Sequence, residues 1–408
     1  MNTSILNTRR LDDSLLHQRE GSNASSRGVA VEKPVRHTES HYDHVLAAVV
    51  FLLVGIGTVM VYSSSTVIGA AKFGSTGFFM VRHAIHLVAG LVAFAVAYRL
   101  PFDKLRSIAP VILLVAFILL VVPLVAGPTH KGAQRWITLF GFSFQPSEVA
   151  KFALIVFLAD RLSRQQDRLR SFAQGLLPHL AIIALVLGLI IAEPDLSTSV
   201  AIALIVGVMM FAAQVRVRHL LVLAIVLGVL VAILIVAEPY RMARLTGYLS
   251  GESGSSPSYQ IQQGFVAMGS GGIFGRGLGQ SLQKYFFLPE PYTDSIFPII
   301  GEEFGLIGTI GILALFGLFG WRAIEVIRHQ PTLYRFLLGV GLTANVMVYA
   351  TLNMAVMTGL LPATGLPLPF ISYGGTALAI NLAAVGLLLN LSRGISATTE
   401  AHGTEEPR

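Results

Sequence analysis

The chain has 408 residues, 54% hydrophobic and only 12% charged, with a net charge of +7 and a mean hydropathy of +0.70. Soluble domains carry about 25% charged residues, so a single water-soluble core is excluded. There is no cysteine, which removes disulfides, thiolate metal sites and thiol nucleophiles; the basic excess points to cytoplasmic loops of a membrane protein and not to nucleic acid.

Met1 to Tyr42 is polar, rich in Ser, Arg and Asn, without the apolar core of a secretory signal. Residues 1–43 are expected to form a disordered cytoplasmic tail. Ten apolar stretches follow, near 44–64, 80–99, 108–126, 145–161, 176–192, 196–213, 218–237, 296–320, 336–358 and 370–392. A helical span needs about 20 residues, and helices satisfy their own backbone in lipid. The expected fold is therefore an all-α polytopic membrane protein with ten transmembrane helices over 44–393, followed by a cytoplasmic tail at 394–408.

Basic residues orient it. Lys104, Arg106, Arg161, Arg164, Arg168, Arg216, Arg218, Arg322, Arg328 and Arg393 fall in alternate loops, which puts both termini in the cytoplasm. The remaining long connection, 238–295, is then on the outer face. It mixes aromatics, glycines and charges, and connections of this length are usually functional or disordered; it reads as ordered.

Several polar groups sit where lipid would make them costly. Glu148 and Lys151, three apart, share a helix face; they suit either a structural ion pair or a polar cavity. Arg135 could meet a phosphate bidentately, and Trp136 is either its neighbour in a site or an interface anchor. Glu193 and Asp195 flank a turn that is either solvated or paired with a base. In the long loop, Arg241 and Arg244 suit an anion grip. Gln260, Gln263, Lys284, Glu290 and Asp294 follow, with Glu302 and Glu303 about two turns deeper. The glycines from Gly269 to Gly279 form neither a P-loop nor a dinucleotide turn; they suggest close backbone approach. A carboxylate at a membrane mouth with cations nearby suits group transfer from a lipid pyrophosphate, the carboxylate as general base and the cations on the leaving group. Thr293 or Asp294 could equally be a helix cap. His83 and His86 share a face without a third ligand, so no metal site is expected there.

These motifs resemble the SEDS family, the FtsW/RodA/SpoVE group. The residues that carry the likeness are Gly132 to Ile137, Gln145-Pro146-Ser147-Glu148 to Lys151, Glu193-Pro194-Asp195-Leu196, Tyr259-Gln260 with Gln263, Gly269 to Gly272, Leu288-Pro289-Glu290 with Thr293-Asp294, Ile300 to Glu303, and Leu368 to Gly375 including Ser372. They occur in family order over about 45–393. The run from Asn381 to Arg393 is more like the cell-division branch than the elongation branch. Tyr292, Ser295 and Thr376 depart from the usual His, Phe and Ser.

The resemblance implies a glycosyltransferase of the cytoplasmic membrane at the division septum. It would polymerise lipid II into β-1,4-linked glycan with inversion, with Asp294 as the essential aspartate. The resemblance also implies an FtsI-like class B penicillin-binding transpeptidase and other divisome membrane proteins as partners. No cofactor is fixed; a divalent cation, Mg or Mn, stays open. Two readings from other classes compete, a lipid II flippase and a non-catalytic scaffold that recruits the transpeptidase. A lipid II polymerisation assay separates them.

Overall fold

The structure, a computed structural model, describes residues 42–126, 135–139, 142–250 and 256–402. The expected N-terminal tail up to residue 41, and Gly132 to Gln134, lie outside the described residues. In chain order the helices are α1 His44–Phe73, α2 Phe78–Arg99, α3 Phe102–Ala126, α4 Pro146–Arg164, α5 Leu177–Ala192, α6 Leu196–Ala212, α7 Val217–Val236, α8 Pro239–Ser250, α9 Ser256–Gly271, α10 Ile296–Arg328, α11 Leu333–Met357 and α12 Gly375–His402. A two-stranded antiparallel hairpin, β1 Ile137–Leu139 and β2 Phe142–Phe144, precedes α4. α12 carries on to His402, past the expected start of the C-terminal tail.

Each of the ten expected spans coincides with a helix, and the all-α membrane class stands. Among the described residues, eight helices are long and apolar enough to cross a membrane, not ten. α4 falls short because Glu148, Lys151, Asp160, Arg161 and Arg164 interrupt its apolar face. α6 has only 17 residues. Both are largely buried, α4 among α3, α6, α11 and α12. A helix shielded from lipid by its neighbours has no need of a continuous apolar surface. α7 is the opposite case: it buries no residue and is apolar from Leu220 to its end.

Local signals fix the ends. Asp43 caps α1 by accepting from Leu46 N at 2.8 Å and also binds Arg322 of α10 at 2.6 Å. Gly74 closes α1 in the left-handed region, φ +66°. Asp195 caps α6 through Thr198 N at 3.2 Å.

The segment 238–295 is more than an outer loop. α9 runs beside the start of α10: Gln260 reaches Ser295, Gly264 faces Pro298, and Gly271 abuts Gly301 and Glu302. α10 itself is broken at Gly305, φ +69°, ψ −159°. Residues 272–277 fill the break with main chain. Leu306 N and Ile307 N donate to the carbonyls of Gly272 and Ile273 at 2.9 and 3.2 Å. Arg276 N and Gly277 N donate to those of Glu302 and Glu303 at 2.9 and 3.0 Å. Groups orphaned by a helix break must find partners, and here four of them do so on one strip of backbone. Cβ atoms at Gly271, Gly275 or Gly305 would lie 2.0, 2.2 and 2.4 Å from main-chain atoms, so the junction requires glycine at all three.

Candidate active site

Asp294 lies in the turn that leads into α10. Thr293 Oγ1 donates to its Oδ1 at 3.0 Å and Gln260 Nε2 to its Oδ2 at 3.3 Å. Its main-chain carbonyl accepts from Asn353 Nδ2 of α11 at 2.8 Å. The connection from α11 to α12 closes over this turn. Ser372 Oγ donates to the Thr293 carbonyl and Tyr373 N to the Tyr292 carbonyl at 2.8 Å. Gly365 completes the wall: a Cβ there would stand 3.6 Å from Asp294 Oδ2. Side chains of Thr293, α9 and α11 and the loop from α11 to α12 thus hold the aspartate and its turn, while its residue keeps some contact with the exterior.

The expected cations beside Asp294 are not found. No salt bridge joins it to a described base, and its pKa is raised, first by burial and further by Glu290. Thr293 and Gln260 oppose the shift through their hydrogen bonds. Loss of hydration therefore outweighs what the two neutral donors return.

The cations are committed elsewhere. Lys151, 1% exposed, binds Glu148 Oε2 at 2.8 Å and lies 3.7 Å from the centre of the Tyr349 ring. Lys284 is buried against Glu303 Oε1 at 3.2 Å and Ser63 Oγ at 3.3 Å. Arg135 donates to the carbonyls of Glu193, at 2.9 Å, and Pro194, and stands 3.7 Å from Asp195. Arg244 donates to the Ala363 carbonyl at 3.4 Å and to the Tyr240 hydroxyl. Arg241 turns back to the Leu234 carbonyl. Each of these cations already has a partner in the fold: a carboxylate for Lys151, Lys284 and Arg135, and carbonyl or hydroxyl oxygens for Arg241 and Arg244.

The other expected residues divide likewise. Glu302 accepts from Ser281 Oγ at 2.5 Å, Leu282 N at 2.9 Å and Gln283 N at 3.2 Å, which makes it a clasp for the chain returning to Asp294. Glu290 adopts φ +49° and its carbonyl accepts from Thr293 N and Ser295 N. Gln263 and Trp136 are half-buried on α9 and ahead of β1. Glu193 is wholly buried, neither carboxylate oxygen has a hydrogen-bond partner, and burial pushes its pKa to about 8, helped by Asp195. His83 meets Thr58 at 3.4 Å. Among the described residues no group of three or more His, Asp or Glu side chains is placed to hold a metal ion.

Two contributors were missed. Asn353 and Tyr349, one turn apart on α11, carry the contacts to Asp294 and to Lys151. A polar Asn within an apolar run was the available signal for the first; nothing marked the second.

A profile of the FtsW/RodA/SpoVE cell cycle protein family matches residues 43–396. The chain belongs to this family. A protein of Trichlorobacter lovleyi named "Probable peptidoglycan glycosyltransferase FtsW" is 41% identical over 90% of the chain and 96% of that protein. "Stage V sporulation protein E" of Bacillus subtilis is 40% identical over 86% and 97%. Among solved structures, a chain of a peptidoglycan synthase complex that coordinates polymerization and crosslinking aligns with TM-score 0.70 and 28% identity, over 87% of this chain and 98% of its own. The rod shape determining protein RodA of Thermus thermophilus aligns with TM-score 0.64 and 26% identity, over 87% and 97%. The FtsW/RodA/SpoVE assignment and the apolar helices make this a multi-pass membrane protein.

Proposed function

We propose that the chain is a peptidoglycan glycosyltransferase that polymerises lipid II on the outer face of the cytoplasmic membrane. The observation that carries this reading is Asp294: a carboxylate held by neutral donors at a helix mouth, with a raised pKa and no described cation bound to it. A general base works best with a pKa moved toward the operating pH, and an aspartate locked in an ion pair would be a poor one. Asp294 takes the proton from the acceptor sugar hydroxyl as that oxygen bonds to the donor's anomeric carbon. The bond from that carbon to the lipid pyrophosphate breaks on the opposite side, and the configuration inverts. Arg244, through the Ala363 carbonyl on the loop that includes Gly365, is the cation best placed by chain path to meet the departing pyrophosphate; Arg135 is the alternative. Two carboxylates, Asp294 and Glu290, with pyrophosphate oxygens would make the oxygen-rich donor set that Mg or Mn takes.

The relatives' names support glycosyl transfer, and the synthase-complex neighbour, named for coordinated polymerization and crosslinking, supports a crosslinking partner in general; a class B penicillin-binding transpeptidase is the partner we propose. A role at the division septum rests on the relatives named FtsW, although a sporulation protein is almost as similar; filamentation of cells depleted of the chain would support it. The deciding experiment is polymerisation of lipid II by purified wild-type and Asp294→Asn protein. Glycan from the first and none from the second supports the proposal. Glycan from neither, or from both, rejects it.

A further inference from the structure

Two polar contacts between α1 and α10 form a ruler. At one end Asp43 binds Arg322 at 2.6 Å; at the other Ser63 Oγ donates to Glu303 Oε1 at 2.6 Å. About 20 residues of each helix lie between them, a rise of about 30 Å. Neither helix carries a charged residue in that interval. The distance equals the hydrocarbon thickness of a typical bilayer, about 30 Å. The buried knot of Ser63, Glu303 and Lys284 therefore marks the outer edge of the hydrocarbon.

The main chain of 272–277 is bonded to α10 at residues 302–307, and Leu282 N, Gln283 N and Lys284 are bonded to Glu302 and Glu303. Segment 272–287 is thereby fixed at that edge. Its side chains there are apolar and uncovered: Phe274 is 81% exposed, Ile273 60% and Phe286 58%. This surface continues into Leu306, Ile307 and Ile310, exposed on α10 itself. Arg276, whose Nε donates to the Ser270 carbonyl at 3.3 Å and stands 3.9 Å from Glu302 while the side chain stays 38% exposed, supplies a cation at the same level, where phospholipid phosphates lie.

We propose that residues 272–287 form a collar that inserts into the outer leaflet, with Ile273, Phe274 and Phe286 among the acyl chains and Arg276 at the phosphates. Large apolar patches on a protein mark either a partner or a membrane; depth, continuity with α10 and the part-exposed Arg276 decide for lipid. Asp294 then stands about 12 Å farther out, among the headgroups.

The cysteine-free chain allows a direct test. Single-cysteine variants Phe274→Cys, Phe286→Cys, Ile310→Cys and Glu238→Cys are spin-labelled on the full-length protein. They are then reconstituted in vesicles of phosphatidylethanolamine and phosphatidylglycerol. We expect the labels at 274 and 286 to shift toward the Ile310 reference, colliding more with oxygen than with a water-soluble nickel chelate. Behaviour like the exposed Glu238 reference would overturn the proposal. Exclusion of both reagents would overturn it too, because it would mean that protein covers the surface. All four side chains point away from the protein interior, so misfolding is an unsuitable explanation for either result, and monodisperse elution of each variant checks this.

Discussion

Asn353 holds Asp294 by its main chain: its side-chain amide donates to the Asp294 carbonyl at 2.8 Å and to that of Leu366 at 2.7 Å. One turn earlier on α11, Tyr349 lies against Lys151. A single helix face thus joins the proposed base to the buried Glu148–Lys151 pair about 6 Å farther along the helix axis. Asn353→Leu, similar in volume, leaves both carbonyls unpartnered at a cost of about 1–3 kcal/mol each. We expect slower polymerisation with lipid II affinity changed less, measured as kcat against KM. An unchanged kcat in a folded variant would remove Asn353 from the site's support.

Protonation of Asp294 sets the next expectation. Its folded pKa lies above the ordinary carboxylate range, and a base acts only when ionised. The acid limb of the pH–rate profile should therefore lie at higher pH than a solvated aspartate would give. The same shift makes the charged form destabilising at neutral pH. Asp294→Asn removes that cost and its amide oxygen keeps one of the two accepted bonds, so it should unfold no earlier than wild type while losing about 10²–10⁴-fold in rate. A variant that loses stability together with activity would assign the residue to structure.

Lys151 gives a prediction opposite to a phosphate ligand's. Lys151→Met strands the buried Glu148 charge, and breaking such a pair costs about 3–5 kcal/mol. The double variant Glu148→Gln, Lys151→Met should recover most of the thermal stability lost by the single one. If Lys151→Met instead unfolds like wild type and fails only in turnover, Lys151 belongs to the substrate site.

Glu193 predicts a slope in pH. Its pKa rises from 4.5 to about 8 on folding, so the folded state holds a proton that the unfolded state has released between those values. Stability conferred by the neutral form is complete below about pH 4.5 and is lost as pH rises to about 8. Glu193→Gln should flatten thermal stability over that window in detergent. A slope identical to wild type would show that the side chain finds a partner in solution.

Topology has a direct test at Arg168. If α4 and α6 cross the membrane, Arg168 is cytoplasmic; if neither does, it is outside. Arg168→Cys should resist an impermeant maleimide in intact cells, as Lys104→Cys does, while Glu238→Cys reacts. Labelling of Arg168→Cys before permeabilisation would reduce the spans to eight.

The helices were legible because lipid imposes long apolar runs, and the i, i+3 spacing of Glu148 and Lys151 was enough to put them on one face. Asp294 was singled out by its place beside an apolar run. Its electrostatic setting was not legible: Lys284 is ten residues away in sequence, yet its ammonium turns to Glu303 and Ser63. Sequence distance says nothing about which of several carboxylates captures a cation. The break in α10 also escaped, since Gly305 looks like any glycine of a membrane helix until the partner backbone of 272–277 is known.

That break is spliced by main chain alone. No side chain at 273, 274 or 276 makes any of its four bonds, whereas glycine is obligatory at 271, 275 and 305. Anchoring to lipid and joining of the helix are therefore separately heritable. The collar is free to drift with the lipid composition of each host while the splice stays fixed, and a mutational library of this segment should tolerate varied side chains at 273, 274 and 276 while resisting change at the tightly packed Gly271, Gly275 and Gly305 and at the left-handed Gly272 and Gly277.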